Sequence, residues 1–376
     1  MWMRRNQRIF QLFQPPQLPT PRFPSMTQWA ICWLQSKRET RMHSPATLVD
    51  GILVHHAAFV DATRRIDNCF EFAHEAPQPI CLAVIGETGT GKSRTLDACY
   101  RKHPAVRGDA GMHIPILRVT APSKPTVKGL AEIMLEALNA PDTTRGTEIE
   151  KTRRVKILMR NTGTRLLMID EFQHFYDKAT QSIMHHVADW LKILVDDVRC
   201  VLVVAGLPPC RIVIDQNEQL ARRFRAPIHL PRFSWTDVDH RQEFTRVLKA
   251  FHKVLVAYFD LPPLHAESMA FRYYCATGGL IGYLSAFLQQ AVWDAIADNR
   301  KRITLDDLNI AHQRSVWDPR SFQSLSRPFG VKFGTEPTVE LLHQIGQIGT
   351  AVPTNKPGRN HGRKPGESVA ACLVAR

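Results

Sequence analysis

The sequence predicts an α/β domain built on a mainly parallel sheet, followed by a helical module. Short continuous apolar runs recur at Ile80–Ile85, Ile114–Val119, Leu166–Ile169 and Cys200–Ala205, with a weaker run at Ile228–Leu230. Helical patterns lie between them, near Thr126–Leu138, Glu148–Arg160, Gln181–Val195 and Asp215–Phe224. From about Trp235 the strand signal stops and only helical patterns remain. A run that is apolar at every position suits a strand buried on both faces, and strand alternating with helix is the pattern of a parallel sheet.

Residues 1–45 are rich in Pro, Gln and Arg with scattered aromatics (Phe10, Phe13, Phe23, Trp29, Trp33) and read as a partly disordered arm. The α/β core spans 46–235, opening with a helical pattern over Phe59–Ala73. The helical module spans 236–320, with helices expected at Asp237–Phe259, Ala266–Thr277, Gly282–Asp298 and Leu305–Arg314. Residues 321–376 carry Gly, Pro and the basic residues Lys356, Arg359, Arg363 and Lys364, and read as a flexible basic tail.

Composition limits the function classes. Hydrophobic residues make up 44% of the 376, enough for a sizeable core. No apolar run approaches the ~20 residues needed to span a bilayer, and prolines interrupt the stretch after the basic N-terminus, against a secretory leader. The eight cysteines form no C-x-x-C pair, so neither a zinc knuckle nor a disulfide framework is expected, and reduced thiols in a cytoplasmic protein are the simplest reading. The adjacent pairs His55–His56 and His185–His186 lack the one-turn spacing of a metal site. Lys and Arg exceed Asp and Glu by 49 to 35, a formal charge of +14. That excess suits a polyanionic partner, nucleic acid being the commonest, although solvated surface cations give the same balance.

The chemistry begins at Gly86-Glu87-Thr88-Gly89-Thr90-Gly91-Lys92-Ser93, a full match to G-x-x-x-x-G-K-[ST] that follows the Ile80–Ile85 strand and opens a helix. Glycines let backbone N–H groups turn inward around phosphate oxygens, and the following helix adds its positive N-terminal field. Lys92 suits the β and γ phosphates of ATP, and the Ser93 hydroxyl suits Mg²⁺. The second element is Leu166-Leu-Met-Ile-Asp170-Glu171, an apolar strand ending in two carboxylates. Such a strand delivers its last side chains to the carboxyl edge of the sheet, where open α/β folds bind ligands. Asp170 is then the Mg²⁺ partner and Glu171 the group that polarises the attacking water. Asp at a strand-to-helix turn is also an ordinary helix cap; its place two strands after the phosphate loop favours catalysis. The strand Val201–Ala205 ends in Gly206-Leu207-Pro208, without the Asn, Thr or Ser that often touches the γ-phosphate from that position. Arg222 and Arg223, in Gln219–Arg225, suit a finger that reaches a neighbouring subunit's nucleotide; the alternative is a basic helix end complementing its own dipole.

In this order, GETGTGKS, LLMIDEFQHF (Leu166–Phe175), the GLP turn, QLARRF and TGGLIGYLSAFLQQA (Thr277–Ala291) resemble the TniB/TnsC family of AAA+ ATPases, target-selection regulators of transposons. The resemblance covers roughly 44–317, and DEFQHF and the Gly-Gly helix are its most specific parts. It implies an AAA+ P-loop core with a five-stranded parallel sheet followed by a helical lid. It also implies a bacterial, nucleoid-associated ATPase that assembles on double-stranded DNA as a ring or helical filament. Its implied partners are a transposase of the TniA/TnsB type and a targeting protein of the TniQ type, and ATP hydrolysis would disassemble the filament. The family's DNA contacts fall on the segment after the second strand, which here offers Lys124, Thr126 and Lys128; a Pro-rich loop with solvated lysines is the equal alternative. The basic stretch Lys151, Arg153, Arg154, Lys156 and Arg160 reads for the most part as a solvated helix. A helicase-loader or replication-initiator ATPase is the alternative function. Initiators carry a DNA-binding domain after the lid, and about sixty weakly structured residues follow it here.

The family resemblance also makes two departures visible. No Arg stands near the start of the Gly278–Tyr283 segment, and no polar residue ends the fourth strand. Both predict slow hydrolysis. Steady-state phosphate release by the protein alone, without DNA, is expected well below the ~10 s⁻¹ typical of enzymes; turnover of tens per second would refute this reading.

Overall fold

A computed structural model describes residues 45–72, 76–109, 111–122, 125–177, 180–316, 327–334 and 336–349. The expected arm before Pro45, Lys124, and the tail beyond residue 349 lie outside the described residues. In chain order the core comprises α1 (Ala57–Phe72), β1 (Cys81–Gly86), α2 (Lys92–Tyr100), β2 (Val106–Gly108), β3 (Gly111–His113), β4 (Ile116–Thr120), α3 (Val127–Ala137), α4 (Glu148–Asn161), β5 (Leu166–Asp170), α5 (His174–Asp177), α6 (Gln181–Val198), β6 (Val201–Gly206), α7 (Cys210–Ile214), α8 (Glu218–Ala221) and β7 (Ile228–Leu230).

Five strands form one sheet in the order β4-β5-β6-β1-β7, each neighbouring pair parallel. The remaining two, β2 and β3, make a separate antiparallel hairpin that the apolar pattern does not announce, because all their residues are exposed. Every residue of β5 and β6 is buried, as a strand covered on both faces requires. Alternate side chains of β1 divide between the two layers: Ala83 and Ile85 join α3, α4 and α6 on one face, while Leu82 and Val84 join α1 and α2 on the other. Since all five strands run the same way, Gly86, Thr120, Asp170 and Gly206 arrive together at one edge.

Hydroxyl caps start the helices on this scaffold. Thr126 accepts the Gly129 N–H, Thr180 accepts the Ile183 N–H, and Thr147 forms a capping box with Glu150. Four of the five basic residues on α4 bond to their own chain, while Arg153 and Arg160 are exposed. Lys151 is fully buried and paired with Glu132 at 3.2 Å. Lys156 holds Asp197 at 2.5 Å, Arg160 donates to the Asp197 carbonyl at 2.6 Å, and Arg154 donates to the Asp142 carbonyl at 3.0 Å. The expectation of a mostly solvated cationic helix is corrected at Lys151, which is enclosed. Burial also pushes the thiols of Cys81, Cys99, Cys200 and Cys210 up to about 12, so they pack as small apolar groups.

The helical module contains α9 (Val238–Leu255), α10 (Glu267–Thr277), α11 (Ile281–Ala297), α12 (Leu305–Ser315) and α13 (Val339–Gly346). Its core differs from the sequence expectation at both ends. Leu48 and Val49, assigned to the α/β core, are buried with the lid helices. In the expected flexible tail, Phe329, Ile345 and Ile348 are also buried there. The tail's Gly, Pro and Lys content masked these three apolar anchors. The Arg272 guanidinium fixes the segment by donating to the carbonyls of Pro328 and Gly330 at 2.7 and 2.9 Å.

One buried titratable group gives the lid a pH limit. His312 on α12 is 1% exposed, lies edge-on to Phe287 and donates through Nε2 to the Ala276 carbonyl at 3.1 Å. Burial holds its imidazole down to about 4, opposed only by that hydrogen bond. The unfolded chain takes up this proton near pH 6.5; the folded chain resists it until about pH 4. The stabilisation is therefore complete above pH 6.5 and is lost as pH falls through that window, by roughly 3 kcal/mol at its end. Thermal melts across this range should show a slope that His312→Gln flattens; an unchanged slope would remove His312 as its source.

Candidate functional site

At the carboxyl end of β1 the chain turns through Glu87–Gly91 into α2. Gly91, the residue before the helix, has φ 95°, a left-handed conformation natural to glycine, and a Cβ added there would meet nothing within 4 Å. The loop thus leaves an open concavity beneath the helix N-terminus. Lys92 is 7% exposed and donates through Nζ to the Gly86 and Glu87 carbonyls at 3.0 and 2.8 Å. Burial pulls its pKa below the usual lysine range, and the charges of Glu171 and Asp170 are the largest opposing influences. The phosphate-loop lysine and the acidic pair thus share one electrostatic environment.

Asp170 ends β5 almost fully buried, and its Oδ1 accepts the Glu171 N–H at 2.9 Å. Arg118 on β4 lies 3.5 Å from Asp170 Oδ2 and is ion-paired to Asp97 on α2. Glu171 has φ 54°, left-handed and uncommon for a side chain of this kind. Such conformations cost about 1–3 kcal/mol and persist where neighbours impose them. Here the neighbours are identifiable. The Phe172 N–H donates to the Ala205 carbonyl at 2.9 Å, and buried Gln173 bridges the two strand ends. Gln173 Nε2 donates to Glu171 Oε2, while its Oε1 accepts the Leu207 N–H at 3.1 Å.

Sequence reasoning missed Gln173. The end of β6 looked bare because its polar partner comes from the turn after β5, inside the DEFQHF stretch. The available signal was a polar residue between two buried phenylalanines, Phe172 and Phe175.

The lid lies directly on the phosphate loop. The Gly282 N–H donates to the Gly89 carbonyl at 2.8 Å, and a Cβ on Gly282 would sit 2.7 Å from Gly89 Cα. The third glycine of TGGLIG therefore permits this approach of two backbones. Arg232, just past β7, binds the Glu87 carboxylate through Nε at 3.0 and 3.1 Å and reaches the Gly278 carbonyl at 3.4 Å. Between loop and lid lies a cavity of about 650 Å³, within the range of small-molecule sites. Thr88, Gly89, Lys92, Ser93 and Glu171 form its polar end; Ile52, Val54, His56, Ile281 and Ser285 line its other walls. Burial lowers the His56 pKa, and its ring packs edge-on against Phe233 at 5.5 Å. The Ser93 hydroxyl and the carboxylates of Asp170 and Glu171 are hard oxygen donors of the kind Mg²⁺ takes.

The remaining sequence-selected residues stand apart from this cavity. Thr126 and Lys128 are exposed at the start of α3, where the Thr126 oxygen caps the helix. Arg222 is 75% exposed and paired along its helix with Glu218. Arg223 is 12% exposed and grips the Asp196 carboxylate with both terminal nitrogens, Nη2 at 2.7 Å. That pairing, with a residue 27 positions upstream, commits Arg223 to its own subunit.

A five-stranded parallel sheet with a phosphate loop on β1, an Asp-Glu pair on β5 and a lid over both defines an AAA+ P-loop fold. Solved structures agree with this at low identity. The chain is similar to the ORC2 protein of Aeropyrum pernix in ADPNP–ADP complexes (12% identity, TM-score 0.53, covering 74% of this chain and 73% of that one). It is likewise similar to Cdc6p of Pyrobaculum aerophilum (13%, TM-score 0.54, 81% and 83%) and to A. pernix ORC1 in complex with DNA (14%, TM-score 0.51, 73% and 70%). The chain belongs to the TniB family: the model of the bacterial TniB protein matches residues 48–235, half of its length. No curated protein sequence matches significantly.

Replacing Gly282 by Ala should force the lid off the phosphate loop, at the about 1–3 kcal/mol of an overpacked contact. Titration with a fluorescent ATP analogue should show roughly five- to hundredfold weaker binding on that conversion, with the fold intact by circular dichroism. Undiminished affinity would show that lid contact does not support the site.

Proposed function

We propose that this chain is an ATP-binding switch that hydrolyses ATP slowly, assembles on duplex DNA and regulates transposition. The observation that carries the reading is that Lys92 and Glu171 line one cavity between the phosphate loop and the lid, with the Asp170 charge acting on the same lysine. The TniB family membership and the charge of +14 support a role on DNA.

In this reading Gly86, Glu87, Thr88, Gly89, Thr90 and Gly91 wrap the phosphates, and Lys92 leaves its two loop carbonyls to bind the β and γ oxygens. Ser93 and Asp170 hold Mg²⁺, which when bound neutralises phosphate charge. Glu171 accepts the proton of the attacking water, and Gln173 fixes the carboxylate that does so. Arg222, 75% exposed and paired only along its own helix with Glu218, is the arginine placed to reach a neighbouring subunit's nucleotide, so an assembled ring or helical filament completes the site. Because Gln173 supplies a polar group at the end of β6, the slowness of hydrolysis rests on the lid, which carries no arginine at its first turn.

Lys124, Thr126 and Lys128 are the proposed core contacts to DNA phosphates, and a TniA/TnsB-like transposase and a TniQ-like targeting protein are the proposed partners. Among the described residues, no helix is long and apolar enough to cross a membrane. The likeness in fold to ORC and Cdc6 proteins accommodates the replication-initiator alternative equally; TniB membership favours transposition.

Electron microscopy of the protein with duplex DNA and a non-hydrolysable ATP analogue should show filaments or rings. Lys92→Ala should abolish nucleotide binding and assembly. Glu171→Gln should cut hydrolysis by on the order of 10²-fold or more and lengthen the life of the assembly. Failure to bind duplex at low salt in every nucleotide state would sink the DNA reading, and unchanged hydrolysis in Glu171→Gln would sink the catalytic assignment.

A further inference from the structure

The lid carries a basic cleft that none of the roles above uses. Its volume is about 470 Å³, and its walls include Trp235, Arg241, Thr245, Lys249, His265 and Glu267. Arg241 lies over the Trp235 ring at 6.0 Å. Arg246, also on the wall, is neutralised by Glu243. Among the described residues Arg241 and Lys249, with Lys253 one turn further along α9, are exposed and form no ion pair. Glu267, at the start of α10, is the carboxylate on the facing wall. The Nδ1 of His265 is buried without a hydrogen-bond partner, beside the His252 ring at 5.2 Å.

The spacing indicates what this surface fits. Arg241, Lys249 and Lys253 lie eight and four residues apart on α9, with Thr245 between the first two, so the cations follow one another along the helix at about 12 and 6 Å. Unpaired cations following one another along a helix complement a ligand whose anions repeat along a line, and a nucleic-acid strand is that ligand. An acidic peptide fits less well. Both walls are helical, so the cleft offers no strand edge to pair with, and Ala270 is the one aliphatic side chain on its walls. Arg241 is pre-oriented by Trp235, which lowers the cost of presenting its guanidinium to a phosphate.

We infer that the α9 face of the lid, centred on Arg241 and Lys249, is a second phosphate-backbone contact for duplex DNA, separate from Thr126 and Lys128 on the core. This rests on the reading that the chain binds DNA. A chain gripping the backbone from both core and lid would couple lid position to DNA occupancy, since the same lid seals the nucleotide cavity.

Fluorescence anisotropy with a short labelled duplex, titrated over salt in the presence of a non-hydrolysable ATP analogue, tests the inference. Neutralising Arg241 and Lys249 together with Gln should weaken binding and reduce the slope of log affinity against log salt by about 0.9 per lost contact, near 1.8 in total. The charge-keeping pair Arg241→Lys and Lys249→Arg should retain the wild-type slope. Nucleotide affinity and melting temperature should match wild type in both variants. An unchanged slope in the neutral variant overturns the inference, as does an equal loss in the charge-keeping one. Unaltered duplex binding with lost binding of a labelled polyglutamate peptide overturns it in favour of an acidic protein partner. Duplex binding that depends on Lys128 but not on the lid pair overturns the lid contact alone, whereas no duplex binding by the wild-type protein at low salt overturns both readings.

Discussion

Backbone meets backbone where Gly282 at the start of α11 donates to Gly89 of the phosphate loop, and the organisation of the site depends on that approach. The approach requires glycine on the lid side, where a Cβ on Gly282 would lie 2.7 Å from Gly89 Cα. From this contact the lid gains its position, the cavity gains its roof, and the segment holding Ile52 and Val54 is trapped between them. Arg232 reinforces the joint by linking Glu87 of the loop to the carbonyl of Gly278 at the lid's hinge. Loop and lid are therefore joined by a backbone hydrogen bond and by the Arg232 guanidinium, which bridges Glu87 and the Gly278 carbonyl.

The acidic edge is organised by a different economy. Asp170 is held by burial and by the main chain, whereas Glu171 is held by the turn that follows it. Anchoring of Phe172 to Ala205 and of Gln173 to Leu207 fixes the turn against β6, and the left-handed Glu171 is the residue that absorbs the bend. Adjacent strands thus cooperate: one supplies the carboxylate, its neighbour supplies the carbonyl and N–H that define where the carboxylate points.

The fold was legible in the sequence where physics is local. Runs such as Leu166–Ile169 and Val201–Ala205 are apolar at every position because both faces of the sheet are covered, and the phosphate loop follows from its glycines. What the sequence hid depends on partners distant along the chain. The order of strands is set by crossovers, and β2 and β3 have no apolar pattern to betray them. Arg223 looks identical to Arg222 until Asp196 is seen beside it. Lys151 reads as a surface cation, yet it is enclosed because Glu132 and the Thr143 carbonyl receive its ammonium. Gln173 acts across strands, so its role has no periodicity. The tail was misread because three apolar residues among polar neighbours carry little compositional weight, although each enters the lid core.

Those three residues place the end of the described chain in the lid's frame. Ile345 and Ile348 press on Gly278, where a Cβ would lie 2.9 Å from the Ile348 Cβ, and Gly349 abuts Leu280 and Tyr283. The hinge that presents Gly282 to the phosphate loop is thus braced from behind by the carboxyl-terminal segment. A displacement of the Ile345–Gly349 turn therefore bears directly on Gly278, three residues before the helix that meets the phosphate loop.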